Sequence, residues 1–124
     1  MKDCIFCNID STRIIAENEL CFAIRDAFPV TDRHTLVLPK RHVSDYFDLH
    51  QPERNAIEAM LHDQREKILK EDPTVTGFNV GINAGASAGQ TVFHVHVHLI
   101  PRRDGDVAEP RGGVRGVIPS KQGY

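Results

Sequence analysis

The chain of 124 residues contains no tryptophan, only two tyrosines and two methionines, and three cysteines. An odd number of cysteines argues against a disulfide framework. The N-terminal residues also lack the apolar core of a secretory signal, which argues for the same conclusion. No apolar run approaches the length needed to span a membrane. The formal net charge of −2 provides no broad basic face for a nucleic acid polymer. We therefore expect a cytoplasmic protein that binds neither a membrane nor a nucleic acid polymer.

The composition is that of an ordinary globular protein, with 40% hydrophobic and 26% charged residues. A chain of this length can bury one modest core but not two. We expect a single domain over residues 1–124. Its last part, residues 102–124, is rich in Gly, Pro and Arg and predicts an irregular tail with an extended piece at Val114–Ile118.

Apolar periodicity predicts an α+β fold with about five strands in a mostly antiparallel sheet, one long helix and one short helix. The long helix is predicted between Pro52, which suits a first helical turn, and Pro73, which ends it. The other predicted elements, in chain order, are a hairpin in "TRIIAENELCFAIRD", a strand in "HTLVLP", a short helical turn in "SDYFDLH", and strands in "TGFNVGI" and "FHVHVHLIP".

Three of the seven histidines alternate with valine, at His94, His96 and His98. On a strand, alternate residues share one face at a spacing of ~6–7 Å. The alternation predicts a histidine row on one face, with Val95 and its apolar neighbours facing the core. Such a row fits a metal site or a reaction centre better than a random solvent face, because imidazole is both a metal ligand and a nucleophile near neutral pH.

A loop of small residues, "GINAGASAGQT", comes just before this strand. Its glycines allow tight turns whose backbone N–H groups bind anions. At the N-terminus, the Cys4-x-x-Cys7 pair has the spacing of half a zinc site. A cytosolic redox pair is the alternative interpretation.

These features together resemble the histidine triad (HIT) superfamily, in its bacterial type with an N-terminal CxxC. The segments "CIFC", "FAIRDAFPVTDRHTLVLPKRH", "GFNVGINAGASAGQ" and "TVFHVHVHLIPR" follow one another in the order and spacing of that family. The resemblance implies a HIT-like fold and a homodimer whose C-terminal tail reaches toward the partner's site.

The resemblance also implies a nucleotide hydrolase. His96 would attack the α-phosphorus and form a nucleotidyl-histidine intermediate that water cleaves. His98 would donate to the phosphate and help the leaving group, and His34 would support the site by hydrogen bonding. The residues that match nucleotide-binding positions are Ile24, Asp26, Asn83, Gly89, Gln90 and Thr91.

For the cysteine pair, the resemblance implies a structural Zn²⁺ held by Cys4, Cys7, His42 and His94. The histidine row would then divide, with His94 for metal and the other two for nucleotide chemistry.

Two features of the sequence match different branches of the family, which differ in substrate. Asn83 matches the branch that cleaves phosphoramidates, whereas "LIPRRDGD" matches the branch that cleaves dinucleoside polyphosphates. We expect cleavage at the α-phosphate of a dinucleoside polyphosphate such as diadenosine tetraphosphate. A purine nucleoside phosphoramidase is the first alternative, and a nucleotide-binding or interaction module with incidental catalysis is the second.

Overall fold

A computed structural model describes all residues from 1 to 124. The elements are the strands β1 (Ile14–Glu17), β2 (Cys21–Arg25), β3 (Thr35–Pro39), β4 (Val75–Gly81) and β5 (Val97–Arg103), the helix α1 (Gln51–Glu71), and short 3₁₀ turns. The predicted hairpin, central strand and long helix are confirmed. The predicted short helical turn lies at Tyr46–Asp48, where the Asp45 side chain accepts from the Phe47 backbone N–H.

The five strands form one sheet in the order β1-β2-β3-β5-β4, and every neighbouring pair is antiparallel. The α+β class is therefore confirmed. Helix α1 connects β3 to β4 in the chain. No helix of the structure combines the length and the apolar character that crossing a membrane requires.

The two faces of the sheet are buried differently. On one face, Val95 and Val97 pack with strand residues and with Ile57 and Met60 of α1. On the other face, Ile24 and its neighbours are covered by the N-terminal segment. Ile24, Leu36, His98 and Gly81 are cross-strand partners in one row. Since cross-strand partners share a face, His98 lies on the face opposite α1.

Two predictions about local structure are wrong. Strand β5 begins at Val97, so His94 and His96 precede the strand instead of lying on it. The His94 side chain is fully buried and turns away, and the chain bends to accommodate it. In the tail, the predicted extended piece is instead a 3₁₀ turn at Gly113–Val117, followed by another at Pro119–Lys121.

A charged pair holds the start of α1. Glu53 is buried, and its two carboxylate oxygens accept from Arg41 Nε at 2.9 Å and Arg41 Nη2 at 2.8 Å. The same carboxylate accepts from the His50 backbone N–H at 2.8 Å, which satisfies a donor at the helix N-terminus. The hydrogen bonds from Arg41 keep the pKa of Glu53 below its usual range.

We expect Glu53→Gln to lower the free energy of unfolding by about 1–2 kcal/mol at pH 7, because a buried charge-assisted cap is lost. A carboxyl with a lowered pKa stabilises the fold above its unfolded pKa, and this contribution disappears as pH falls below about 4. Urea unfolding should therefore show a smaller loss of unfolding free energy for Glu53→Gln at pH 3 than at pH 7. Glu66→Gln is the control, since that side chain is 63% exposed on α1; an equal loss in both variants would contradict the role of Glu53.

Candidate active site and metal centre

The geometry around His96 fixes which of its nitrogens is free to react. His96 Nδ1 lies 2.8 Å from the carbonyl oxygen of His94. A carbonyl can only accept, so Nδ1 carries the proton and Nε2 keeps its lone pair. The His96 ring also packs edge-on against Phe6, at 5.0 Å between centroids, and against His98 at 5.3 Å. His96 is thus held as an oriented imidazole with an available nucleophilic nitrogen.

A second chain of hydrogen bonds fixes the tautomer of His98. The Val30 backbone N–H donates to His34 Nδ1 at 3.1 Å, so a neutral His34 carries its proton on Nε2. His34 Nε2 lies 2.9 Å from His98 Nδ1 and donates to it. The remaining proton of His98 is therefore on Nε2, where it can be donated to a substrate oxygen. The Asp26 carboxylate, 3.5 Å from His34 Nε2, favours the same arrangement.

His34 and His98 are both neutral at physiological pH. Burial, followed by repulsion from His96 and His34, lowers the pKa of His98 to about 4. Burial likewise lowers the pKa of His34, against the attraction of Asp26. The predicted supporting role of His34 has a physical basis here, because His34 sets the proton position of His98.

His94 belongs to a different group of side chains. Its Nε2 donates to the Pro39 carbonyl at 2.9 Å, which leaves the Nδ1 lone pair directed at Cys4 Sγ and Cys7 Sγ, each 3.4 Å away. His42 Nδ1 lies 3.2 Å from Cys7 Sγ. The ligand atoms of these four residues all lie within 4.8 Å of one another.

This donor set fits Zn²⁺. Two thiolates and two imidazoles are a standard tetrahedral set, and zinc–ligand bonds of 2.0–2.3 Å place neighbouring S and N atoms about 3.6 Å apart. The observed S···N distances of 3.2–3.4 Å come close to that spacing. The hydrogen bond from His94 Nε2 to a backbone carbonyl is also the outer contact that usually orients a metal-binding imidazole.

The small-residue loop between β4 and β5 is built around two glycines and a glutamine. Gly85 and Gly89 have φ values of 98° and 96°, which disfavour any side chain. The buried Gln90 amide accepts from the Gly85 N–H at 2.8 Å and donates to the Ser44 carbonyl at 2.8 Å. Gln90 therefore holds the loop in place by two hydrogen bonds. Its contact with a phosphate group stays a prediction. Thr91 is exposed beside Cys4 and His42 in a cavity on the metal side.

The predicted nucleoside residues lie on the β2 side of His98. Asp26 is partly exposed, and its Oδ1 accepts from the Phe28 N–H at 2.8 Å. Ile24 is fully buried under Phe6, Ile9 and Ile14, so its role in a base slot stays a prediction. Sequence reasoning missed Phe6 because its contact with His96 is long-range. Its place between Cys4 and Cys7 was the available signal.

On the β4 side of His98, a cavity of about 440 Å³ opens toward the tail. Asn83 lines it together with His98, His34 and apolar side chains. The remaining lining residues are Val30, Asn79, Val80, Gly81, Ile82, Ile100, Gly113, Val114, Gly116 and Val117. Asn83 and His98, which are 15 residues apart in the sequence, therefore meet at one wall of this cavity.

Comparisons with known proteins agree with this site. The family model described as HIT domain matches residues 8–105. An uncharacterized HIT-like protein from Mycoplasma genitalium is 45% identical over 105 residues, which are 82% of this chain and 74% of that protein. AP-4-A phosphorylase from Mycobacterium tuberculosis is 37% identical over 95 residues, which are 75% of this chain and 48% of that protein.

A solved structure of a similar protein contains zinc. The crystal structure of a Zn-bound histidine triad family protein from Mycobacterium smegmatis superposes with a TM-score of 0.78 at 36% identity, over 87% of this chain and 81% of that chain. The fold of this chain agrees with that of this relative. The chain belongs to the HIT domain family.

Proposed function

We propose that this protein is a nucleotidyl hydrolase that cleaves at the α-phosphate of dinucleoside polyphosphates through a nucleotidyl-histidine intermediate on His96. The observation that carries the proposal is the tautomer of His96. Its Nδ1–H is committed to the His94 carbonyl, and its Nε2 is free beside the donor of His98. A relative named AP-4-A phosphorylase supports the substrate class.

The steps follow from these proton positions. His96 Nε2 attacks the α-phosphorus, an N–P bond forms, and the bond to the leaving group breaks with its electron pair on the leaving atom. The imidazolium charge that develops on His96 is stabilised by the His94 carbonyl, which accepts from Nδ1–H. His98 Nε2–H donates to a phosphate oxygen. Water then attacks phosphorus, loses a proton and releases the nucleotide with His96 restored.

We assign the nucleoside to the β2 side of this centre. Asp26 accepts from the ribose hydroxyls, and Ile24 with its covering residues forms the base slot. The phosphates lie against Asn83, Gly89, Gln90 and Thr91. The positions of Asp26 near His34 and of Asn83 near His98 support this assignment.

A purine nucleoside phosphoramidase is the second candidate function. The cavity beside His98 supports it, because none of its lining residues is Lys, Arg, Asp or Glu. A leaving group with several phosphates is normally neutralised by cations. A nucleotide-binding or interaction module is the non-enzymatic alternative, and variants of His96 distinguish it from an enzyme.

We expect His96→Asn to lower kcat/KM for diadenosine tetraphosphate or adenosine 5′-phosphoramidate by about 10⁴-fold, because the nucleophile is lost. Binding of a non-hydrolysable nucleotide, measured by calorimetry, should change little. His50→Asn is the control, since His50 is 67% exposed at the start of α1 and Asn is also a favoured residue at a helix N-cap. Full turnover by the His96 variant would contradict the nucleophile assignment, and a wild-type protein that binds nucleotide without turnover would favour the binding module.

We also propose a structural Zn²⁺ at Cys4, Cys7, His42 and His94. Four protein ligands leave no open position for substrate. The metal would fasten the N-terminal segment to the chain just before β5, and so fix Phe6 against His96. None of the three cysteines forms a disulfide, which supports a reducing, cytoplasmic location.

Metal analysis of the purified protein should find about one zinc per chain, and Cys7→Ser should abolish it and lower Tm, because metal binding contributes to folding. Cys21→Ser is the matched control. Cys21 is buried outside the cluster, and its Sγ donates to the Ala56 carbonyl, a bond that a serine can keep. A zinc-free protein whose Tm is unaffected by Cys7→Ser would refute the site.

We further propose a homodimer that forms along β4 and α1. Strand β4 is at the edge of the sheet, where its outer backbone groups have no strand partner. A groove of about 500 Å³ runs beside it, lined by Leu61 and Leu69 of α1 and by Phe78 and Val80 of β4. Apolar side chains from both elements, next to a free strand edge, support pairing with a second copy.

Sedimentation velocity should show a dimer for the wild type and a monomer for Val80→Lys, since a buried charge at the two-fold interface has no partner. Val107→Lys is the matched control, because Val80 is 49% and Val107 is 47% exposed and Val107 lies outside this groove. A monomeric wild type, or a dimer that survives Val80→Lys, would contradict this interface.

A further inference from the structure

Arg33 is the only residue other than glycine with a positive φ. Its φ of 70° lies in the left-handed region of the backbone. A residue with a Cβ disfavours this region about 5- to 30-fold relative to glycine. Such conformations persist only where surrounding contacts hold them, and they are most frequent near functional groups. Arg33 directly precedes His34, which sets the proton position of His98.

A tight turn requires the conformation of Arg33. The His34 backbone N–H donates to the Thr31 carbonyl at 3.1 Å, which closes a turn over residues 31–34. Of the two central residues, Asp32 and Arg33, only Arg33 has a positive φ. This pattern matches a type II turn, whose third position favours glycine. An arginine at this position therefore needs other contacts to hold it there.

This turn also determines the hydrogen bond that fixes the tautomer of His34. The Val30 backbone N–H, just before the turn, donates to His34 Nδ1 at 3.1 Å. The turn sets the path of the chain between these two residues, so a change at Arg33 moves the donor relative to the ring. Without this bond, a neutral His34 is free to carry its proton on Nδ1 and then no longer donates to His98.

Three carboxylates hold the Arg33 side chain. Its Nη1 donates to Asp32 Oδ2 at 2.9 Å and lies 3.7 Å from Asp72 Oδ2. Its Nε lies 3.7 Å from Glu71 Oε2, and the side chain is only 29% exposed. A single exposed ion pair contributes little, but several charges around one planar guanidinium define its position.

Asp72 makes this anchor firm because it is itself held from several sides. It caps α1, and its backbone N–H donates to the Ile68 carbonyl at 2.9 Å. Its carboxylate accepts from the Thr74 N–H at 3.0 Å and from Arg103 Nη2 at 2.8 Å. Hydrogen bonds from Thr74 and then from Arg103 hold the pKa of Asp72 well below its usual range, so the carboxylate is ionised. Arg33 is therefore connected to the end of α1 and, through Asp72, to the end of β5.

We propose that Arg33 is a positioning residue for His34 and His98, and that its ion pairs hold the turn in the left-handed conformation that keeps the His98 proton on Nε2. The kinetic part of the inference rests on the proposed nucleotidyl hydrolase activity, whereas the effect on the histidine tautomers does not. Glu71 and Asp72 lie at the end of α1, which packs on the sheet face opposite His98. Arg33 thus acts through the backbone of the turn and not by contact with the substrate.

Two substitutions separate the conformation of Arg33 from its charge. Arg33→Ala removes the ion pairs but keeps a Cβ, so part of the molecules should leave the left-handed conformation. We expect kcat/KM for diadenosine tetraphosphate to fall about tenfold, in proportion to the competent fraction. Arg33→Gly removes the same ion pairs, but glycine adopts a φ of 70° without strain. It should therefore recover kcat/KM to within about twofold of the wild type.

The histidine tautomers provide a readout that a purely structural role would not change. In nitrogen NMR spectra near neutral pH, His98 of the wild type should carry a proton on Nε2 and none on Nδ1. Arg33→Ala should give a mixture of tautomers, and Arg33→Gly should restore the wild-type pattern. Lys67→Ala is the control, because it removes an ion pair with Asp63 on α1 outside this turn and should change neither the tautomers nor kcat/KM.

A graded variant keeps the test decisive if Arg33→Ala fails to fold, which thermal unfolding would show. Asn tolerates the left-handed region better than most residues with a side chain, but less well than glycine. Arg33→Asn should therefore lie between Arg33→Ala and Arg33→Gly, both in kcat/KM and in the share of His98 with its proton on Nε2. The order follows the left-handed preference, since all three variants lack the charge of arginine.

Equal losses of kcat/KM in the Ala, Asn and Gly variants would overturn the proposal, because the charge and not the backbone would then be responsible. Unchanged tautomers in Arg33→Ala, or in Arg33→Asn where the Ala variant does not fold, would overturn it as well. A wild type that turns over neither diadenosine tetraphosphate nor adenosine 5′-phosphoramidate would overturn the proposed hydrolase activity. The tautomer measurement would still decide the role of Arg33.

Discussion

One residue, His94, connects the two chemical groups of this protein. Its Nε2–H binds the Pro39 carbonyl, its Nδ1 faces two sulfurs, and its own carbonyl accepts from His96 Nδ1. The side chain thus belongs to the cluster with Cys4, Cys7 and His42, while the backbone carbonyl orients the His96 imidazole. Because the carbonyl position follows from where the buried imidazole is held, the geometry at His96 depends on the packing of the N-terminal segment.

The proton positions on the other histidines depend in turn on a backbone donor. The Val30 N–H is bound to His34 Nδ1, and this leaves His34 only one way to contact His98. Burial lowers the pKa of both His34 and His98, so both rings are neutral. The His98 Nε2–H is therefore oriented by a fixed tautomer and not by a positive charge on the ring. An approaching phosphate then meets one lone pair and one N–H, each on a defined nitrogen.

The sequence was sufficient for the parts of the site that follow from local rules. Strand periodicity predicted that the valine row faces the core, and Val97 does pack there against α1. The CxxC spacing predicted half of a metal site, and the two sulfurs lie in one cluster with two histidines. The start of β5 was predicted too early, because buried hydrogen bonds of His94 override alternation. The contact of Phe6 with His96 spans 90 residues, and no periodic pattern carries such information.

The structure of the C-terminal tail depends on long-range contacts that sequence patterns do not predict. Its content of glycine, proline and arginine predicted an irregular tail, and the extended piece expected at Val114–Ile118 is a 3₁₀ turn instead. The role of its glycines is steric and long-range, since Gly112 and Gly116 make room for Gln122, and Gly113 for Asn79. The glycines let the tail seat against β4, and the seated tail closes one side of the cavity that His98 opens. A chain with side chains at those positions could keep His96 and His98 and still lose this wall of the cavity, so the histidine site and the cavity beside it are specified by separate parts of the sequence.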